Sequence, residues 1–328
     1  MTDGATPRFI ALTGTTTSGK TDLSLALAER MDIEIISMDS RQVYKGMDIG
    51  TDKVRQEARE LVPHHGLDLI APDQRYSAGQ FARDARGWIP DIRSRGRVPV
   101  LAGGTGFFLK AVMEPIFAEP DMDVDRVEAL RDYLRETPVG VLAAWVKRLD
   151  PDRAELAIEG GPQRMSRTLE VALLTGRPLS RWHRESPPEA EGISGVVALL
   201  NLPREVMDDR IDDRVSNMVE RGLIDEVRGL LDAGCTPDAP GMSGTGYREI
   251  AQHLEGIISL DEAMEEIRGN TRRYARRQLT WFRNQLPESA LQIDAMTSVE
   301  DQADAVLEAW RVAGGLVASA APRSEAWA

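Results

Sequence analysis

Cysteine occurs once in the 328 residues, at Cys235. A single thiol excludes a disulfide framework and any Cys-based zinc site. It reads as a small, partly buried side chain. Histidine is almost as scarce, with four copies. Two of them are adjacent in Pro63-His64-His65-Gly66. Neighbouring side chains on a strand point apart, and no further His/Cys cluster lies nearby, so a structural role is favoured over a metal site. Long apolar runs are also missing. No stretch approaches the roughly 18 residues of a membrane span, and Met1-Thr2-Asp3-Gly4 lacks the basic-then-apolar pattern of a signal peptide. A cytoplasmic protein is expected. Positive charge is in deficit: 40 Lys and Arg against 53 Asp and Glu give a net charge of −13. Taken alone, that argues against nucleic acid as a partner. One local absence points the other way. Between Arg268 and Pro287 there is no Asp or Glu, while six arginines fall inside. An acidic protein with one basic groove fits both observations.

The rest of the composition is ordinary for a chain of one large or two medium domains, with 42% hydrophobic and 28% charged residues. No internal repeat is found. The chain is organised around Gly14-Thr15-Thr16-Thr17-Ser18-Gly19-Lys20-Thr21, which fits the phosphate-loop pattern G-x-x-x-x-G-K-[ST]. Phe9-Ile10-Ala11-Leu12 before it is of strand type, and Leu23, Leu27 and Met31 after it recur at helical spacing. Glycines let several backbone N–H groups converge on one anion, and the helix N-terminus adds positive potential. Lys20 brings a point charge to the outer oxygens, and the Thr21 hydroxyl is placed to ligate Mg²⁺. The loop fits a nucleoside triphosphate and any diphosphate ester alike.

Residues 33–39 read as a second buried strand that ends in Asp39. In open parallel sheets the carboxyl ends of strands face the ligand crevice, which puts Asp39 beside the phosphate loop. Three roles compete for it: a magnesium-side acid, a general base facing an acceptor, or a strand-end cap. The polar segment Ser40 to Thr51 is a long loop, a type that is usually functional. Residues 78–95 read as a helix (Phe81, Ala85, Trp88, Ile89, Ile92) closed by Gly96, followed by a strand at Val98–Ala102. That strand runs into Gly103-Gly104-Thr105-Gly106, where Thr105 would hold a hydroxyl at the crevice; a plain turn explains these residues equally well. Between about 115 and 195 the chain looks helical, charged and Pro-broken, with no strand signal until Val196-Val197-Ala198-Leu199-Leu200. It is read as a helical insertion. Arg164 and Arg167 share a helix face there, for which spacing alone favours a solvated surface. After the strand, Arg210, Arg214 and Arg221 flank an amphipathic series (Ile211, Val215, Met218, Val219, Leu223). They read either as a phosphate clamp or as surface ion pairs. Gly241 to Glu249 is another Gly-rich turn. The acid-free run then interleaves Arg272, Arg273, Arg276, Arg277 and Arg283 with Tyr274 and Trp281, a backbone-tracking and base-stacking pattern. Residues 316–328 read as a disordered tail.

In order and spacing from about residue 9 to 285, these motifs resemble those of the tRNA dimethylallyltransferases (tRNA isopentenyltransferases), bacterial type. The phosphate loop carries part of the resemblance. So do Ser37 to Thr51, Pro63-His64-His65, Gly103-Gly104-Thr105, Gln163-Arg164, Gly246-Tyr247-Arg248-Glu249 and Arg276 to Arg283. The appended zinc finger of some eukaryotic relatives is absent. The implied fold is α/β: a P-loop NTPase-like parallel sheet flanked by helices, with an inserted helical domain. The implied division is a catalytic core of residues 1–114 and 196–315 and an insertion of residues 115–195. The implied reaction moves the dimethylallyl group of dimethylallyl diphosphate to the exocyclic amine of the adenosine 3′ of the anticodon, in tRNAs reading codons that begin with U. On that resemblance Asp39 is the base and Thr105 hydrogen-bonds near the amine. Gly14, Thr15, Thr16, Thr17, Ser18, Gly19, Lys20, Thr21 and Arg214 hold diphosphate, with Mg²⁺ on Thr21. The anticodon stem-loop falls to Asp39, Ser40, Arg41, Gln42, Thr105, Arg126, Gln163, Arg164, Met165, Ser166 and Arg167. From the C-terminal part it falls to Ser243, Gly244, Thr245, Gly246, Tyr247, Arg248, Arg276, Arg277, Gln278, Leu279, Thr280, Trp281, Phe282 and Arg283. Many relatives carry a larger residue at the place of Ser243. No obligate protein partner is implied, and a monomer suffices. The reading kept beside this one is a P-loop small-molecule kinase, which would bind ATP without RNA. A third is an RNA-binding or nucleotide-switch protein without catalysis, which the retained Lys20, Thr21, Asp39 and Thr105 disfavour.

Overall fold

The computed structural model describes residues 6–117 and 120–315, so the tail read at 316–328 lies outside the described residues. The chain divides into two compact units, Met1–Glu114 with Gly192–Ala328, and Pro115–Glu191.

The first unit is built on a six-stranded sheet. Its strands are β1 (Ile10–Gly14), β2 (Ile33–Ser37), β3 (His64–His65), β4 (Val98–Ala102), β7 (Val196–Asn201) and β8 (Leu291–Asp294). They lie in the order β3-β2-β4-β1-β7-β8, and every pairing is parallel. Ile10 of β1 stands opposite Val100 on one side and Val196 on the other. Every residue of β1 and β2 is buried. This is why these strands read as unbroken apolar runs rather than alternating ones: a parallel sheet is covered on both faces. The chain leaves β1 for one side of the sheet and later returns to its other side at β7. The crevice at the carboxyl end of β1 is therefore the place where strand order reverses, the usual ligand site of such sheets.

Helices cover the sheet. Lys20–Arg30 buries Leu23 and Leu27 and packs on Val299–Val312, whose Trp310 is fully enclosed. Ala78–Ser94 buries Phe81, Ala82, Ala85, Ile89 and Ile92 as one face, with the Ser77 hydroxyl capping the Gln80 N–H. The 26-residue helix Leu260–Gln285 starts at a capping box between Ser259 and Glu262. It packs on Arg204–Glu220 and on Tyr247–Leu254. The adjacent histidines are structural. His65 Nε2 lies 2.7 Å from the buried Glu34 carboxylate, which also takes Arg95 and Arg97, and His64 Nδ1 meets the Val62 carbonyl at 2.7 Å. Burial alone would raise the Glu34 carboxyl, but Arg95, His65 and Arg97 outweigh it and hold it down at about 2. Among the described residues no cluster of three or more His, Cys, Asp or Glu could hold a metal, and no helix is long and apolar enough to cross a membrane.

Among the described residues, the second unit is five α-helices and one 3₁₀ turn around Leu134, Leu142, Val146, Ala157, Met165 and Leu169. Two short strands belong to it, β5 (Ile116–Phe117) and β6 (Pro188–Ala190), which pair antiparallel. The expectation of no strand within the 115–195 insertion is corrected here. Strands of two and three residues beside Pro115, Pro187 and Pro188 leave no alternation to read. The edge strand β8 escapes detection for the same reason, since its four residues alternate in burial only once around Ile293.

Candidate active site

The phosphate loop joins β1 to Lys20–Arg30. Thr17 sits at φ 64° and Gly19 at φ 87°, so the loop curls through left-handed backbone where only Gly is at ease. Lys20 folds back over the loop. Its Nζ donates to the carbonyls of Thr15 at 2.5 Å and Gly14 at 3.2 Å and to the Ser18 hydroxyl at 3.3 Å. Burial of the ammonium lowers its pKa to about 8, with Asp39 pulling it back up and Arg214 lowering it further. Arg214 Nη1 donates to the Thr16 hydroxyl at 2.6 Å, and Arg210 Nη1 donates to the Thr17 carbonyl at 3.1 Å. Two arginines of helix Arg204–Glu220 therefore reach the loop. Arg221 of the same flank turns elsewhere, onto Asp52 at 3.0 Å. Thr21 is exposed on the first helical turn.

Across the crevice stand the ends of β2 and β4. They approach so closely that a Cβ on Gly103 would lie 2.0 Å from the Met38 carbonyl. That contact seats Thr105 beside the segment carrying Asp39. The Ser40 N–H donates to the Thr105 hydroxyl at 3.0 Å, and the Arg41 N–H donates to Asp39 Oδ1 at 2.8 Å. One carboxylate oxygen thus does act as the strand-end cap. Tyr274, not singled out as a site residue from the sequence, brings its phenol within hydrogen-bonding reach of Thr105 and into the field of Asp39. Burial first and the Asp39 charge second push that phenol up to about 12, so it stays protonated at neutral pH. Its signal was a tyrosine inside the arginine run.

Residues expected at an RNA surface also build the loop around Asp39. Gln42 accepts from the Ser37 hydroxyl at 2.7 Å and donates to the Thr51 and Asp52 carbonyls at 3.1 and 3.3 Å. Arg41 donates to the Pro240 carbonyl and to the exposed Ser243 hydroxyl, at 3.0 and 3.1 Å. Lys53 is fully buried, on the Tyr44 carbonyl and between Asp48 and Asp68. Glu226 accepts the N–H groups of Asp48, Ile49 and Gly50 and the Tyr247 hydroxyl. Neither Lys53 nor Glu226 was read as part of the site, and Glu226 lies far away in sequence with no local signature.

The C-terminal assignments need correction on burial. Tyr247 is 1% exposed, Phe282 2% and Gln278 6%. Gly244 and Gly246 are buried as well and Leu279 is half-buried against the core; the side chains of Tyr247, Phe282 and Gln278 offer no surface to RNA. Thr245 is half-buried; Arg248 and Thr280 are exposed. Trp281 is half-buried against Phe107, with ring centroids 5.9 Å apart. The arginine run is also less free than it reads. Asp212 of helix Arg204–Glu220 pairs with Arg272 and lies 3.9 Å from Arg268, and Asp208 lies 3.9 Å from Arg276. Arg276, Arg277 and Arg283 remain exposed. In the helical unit Arg126 and Gln163 are exposed. Arg164 donates to the Leu156 carbonyl at 3.3 Å, Arg167 lies 3.3 Å from Glu170, and Ser166 is half-buried. Met165 belongs to that unit's core, which corrects its assignment to RNA.

Similarity to known proteins spans the segments that carry these residues. A family model described as IPP transferase matches residues 42–285, and one described as isopentenyl transferase matches residues 7–63. The tRNA dimethylallyltransferase of Geobacillus thermodenitrificans is 41% identical over 283 residues, covering 86% of this chain and 89% of that protein. Its namesake from Bacillus velezensis is 37% identical over 300 residues, 91% of this chain and 95% of that one. Among solved structures, the full-length tRNA isopentenylpyrophosphate transferase of Bacillus halodurans matches with a TM-score of 0.68 at 34% identity, covering 94% of this chain and 98% of that one. A eukaryotic dimethylallyltransferase, described as acting on tRNA, matches with a TM-score of 0.78 at 26% identity, covering 94% of this chain and 80% of that one.

Proposed function

The chain belongs to the IPP transferase family, whose named relatives are tRNA dimethylallyltransferases, and from that premise we propose that it prenylates tRNA. The dimethylallyl group of dimethylallyl diphosphate passes to the N6 amine of the adenosine 3′ of the anticodon, in tRNAs reading codons that begin with U. The bond from N6 to the allylic carbon forms, the bond from that carbon to the diphosphate oxygen breaks, and the amine proton leaves to a base. The observation that carries this reading is the convergence of Lys20, Asp39 and Thr105 at the carboxyl ends of β1, β2 and β4.

An adenine amine is a poor nucleophile, because its lone pair is delocalised into the ring. The departing diphosphate must therefore be well neutralised, and the amine proton needs an acceptor. Lys20, Arg214 and the N–H groups at the start of Lys20–Arg30 supply the neutralisation. The Asp39 oxygen not engaged by Arg41 takes the proton. Thr105, fixed by the Ser40 N–H, holds the base edge. The adenosine leaves the anticodon stack to reach the crevice. Exposed Arg276, Arg277, Arg283 and Arg248 receive the RNA backbone from one unit; Arg126, Gln163, Arg164 and Arg167 do so from the other. The residues present suit Mg²⁺ as a partner of diphosphate: the one exposed hydroxyl of Thr21, without a protein cage, matches an ion that keeps its waters and takes substrate oxygens. When bound there it would screen the leaving group. A cytoplasmic site of action follows from the substrate. The test is incubation with Mg²⁺, dimethylallyl diphosphate and an unmodified tRNA, followed by mass spectrometry of the digested nucleosides. Prenylated adenosine that is lost in Lys20→Ala supports the reading. Unmodified RNA, with ATP consumed on a small alcohol instead, would move the assignment to the kinase.

A further inference from the structure

Gln278 lies deep in the site, on the same helix turn as Arg276 and Arg277. Its Oε1 accepts the Thr16 N–H at 3.1 Å, and its Nε2 donates to the Gly104 carbonyl at 2.8 Å. An amide presents acceptor and donor on opposite prongs of one plane, so both bonds together fix the spacing of the two loops they touch. One loop holds the leaving group; the other carries Thr105. The chain leaves room for this bridge: a Cβ on Gly104 would lie 2.2 Å from Gln278 Nε2. Thr16 is gripped a second time, through its hydroxyl, by Arg214 at 2.6 Å. Arg214 also faces Asp52 at 3.6 Å. An anion that draws Arg214 toward itself therefore acts on the residue that Gln278 holds from the other side.

We propose that Gln278 is a positioning residue that couples the two substrate sites: RNA held by the exposed arginines of helix Leu260–Gln285 tightens the phosphate loop through it. The proposal rests on the prenyl-transfer reading for the identity of the RNA. Arg276, Arg277 and Gln278 are consecutive, so a rigid helix cannot shift its outer arginines without shifting the inner amide. Restraint of the helix by RNA restrains Thr16 and Gly104, and the loop then gives up less freedom when an anion binds. Linkage makes the effect reciprocal.

The experiment measures the affinity of inorganic diphosphate in Mg²⁺, by calorimetry, with and without a saturating anticodon stem-loop RNA. It uses the full chain, Gln278→Met and Gly104→Ala. Gln278→Met removes both hydrogen bonds at similar length, and Gly104→Ala displaces the amide while keeping it. In the unsubstituted protein the RNA is expected to raise diphosphate affinity by roughly 5- to 150-fold, the usual span of coupling between sites. In both variants the factor falls to about one, while RNA alone binds as before. Full coupling in either variant overturns the proposal, as does its absence in the unsubstituted protein. Loss of RNA affinity by the variants without diphosphate present would make Gln278 a scaffold residue and also overturn it. Failure of the unsubstituted protein to bind the RNA at all would sink the prenyl-transfer reading and this proposal with it.

Discussion

If Lys20 holds diphosphate as proposed, binding should depend on pH above neutrality. Its ammonium is held by the loop's own carbonyls and the Ser18 hydroxyl, and burial lowers its pKa to about 8. Such a lysine is about 90% charged at pH 7 and about 10% charged at pH 9. A bound anion favours the charged form, so binding raises the pKa and takes up a proton once the free lysine has lost it. Affinity is then flat below pH 8 and falls by about tenfold per unit above it, until the pKa of the bound form is passed. Over pH 8 to 10 the loss approaches about a hundredfold. The stability of the unliganded protein is expected to follow the opposite trend. A lysine whose folded pKa lies below its unfolded value binds fewer protons when folded, so stability rises with pH between about 8 and 10.5.

Calorimetry of inorganic diphosphate at fixed Mg²⁺, in buffers of different ionisation enthalpy, counts the proton directly. The ligand's own titration is removed by repeating the series on Lys20→Met, whose profile carries that part alone. The expected difference is about one proton taken up near pH 9 and none near pH 7. Identical profiles for the two proteins would refute the account of Lys20.

Asp39→Asn should lower turnover by about 10²- to 10⁴-fold, the range of general-base contributions, with tRNA affinity unchanged in a filter-binding assay; weaker RNA binding at normal turnover would remove Asp39 from the chemistry. Arg276→Ala with Arg277→Ala should weaken RNA binding and reduce the slope of log affinity against log salt by about one to two, and an unchanged slope would show that these arginines touch no phosphate. Glu226→Ala leaves three backbone N–H groups and the Tyr247 hydroxyl without their acceptor. It should cost about 2–3 kcal/mol in urea unfolding, whereas Tyr247→Phe costs about 1 kcal/mol; equal, negligible losses would show that the 48–50 loop is held by something else.

The parts of the molecule legible in the sequence are those whose cause is local. The phosphate loop is a contiguous pattern. The buried parallel strands declare themselves by unbroken apolar runs, and the placement of Asp39 and Thr105 at the crevice, though not their roles, follows from lying at strand ends. What stayed hidden depends on partners far along the chain. Gln278 sits in a run of arginines and invites a surface role, yet its amide serves Thr16, 262 residues away. Glu226 reads as one more acid in the first turn of a helix, yet it anchors Gly50, 176 residues away. Tyr247 lies in a Gly-rich turn that suggests exposure, yet it is buried with its hydroxyl on that same Glu226. Short edge strands fail for a different reason, since two to four residues carry no period.

The arginine run shows how far a local charge argument reaches. The absence of acid between Arg268 and Pro287 looks like a surface free to meet phosphate. The structure supplies the missing acid from Arg204–Glu220, where Asp212 pairs with Arg272 and approaches Arg268. A charge already paired gains less from a phosphate, because the intramolecular partner must first be given up. The charge available to RNA therefore lies on the exposed Arg273, Arg277 and Arg283 and on the loosely engaged Arg276, three of the four in the C-terminal turns of the helix. That end is also where Gln278 meets the phosphate loop and Trp281 meets Phe107. The pairing with Asp212 thus does more than neutralise. It fixes Arg268 and Arg272 against the neighbour helix and leaves Arg273 and the turns over the crevice as the places where a phosphate backbone finds charge unpaired by an acid.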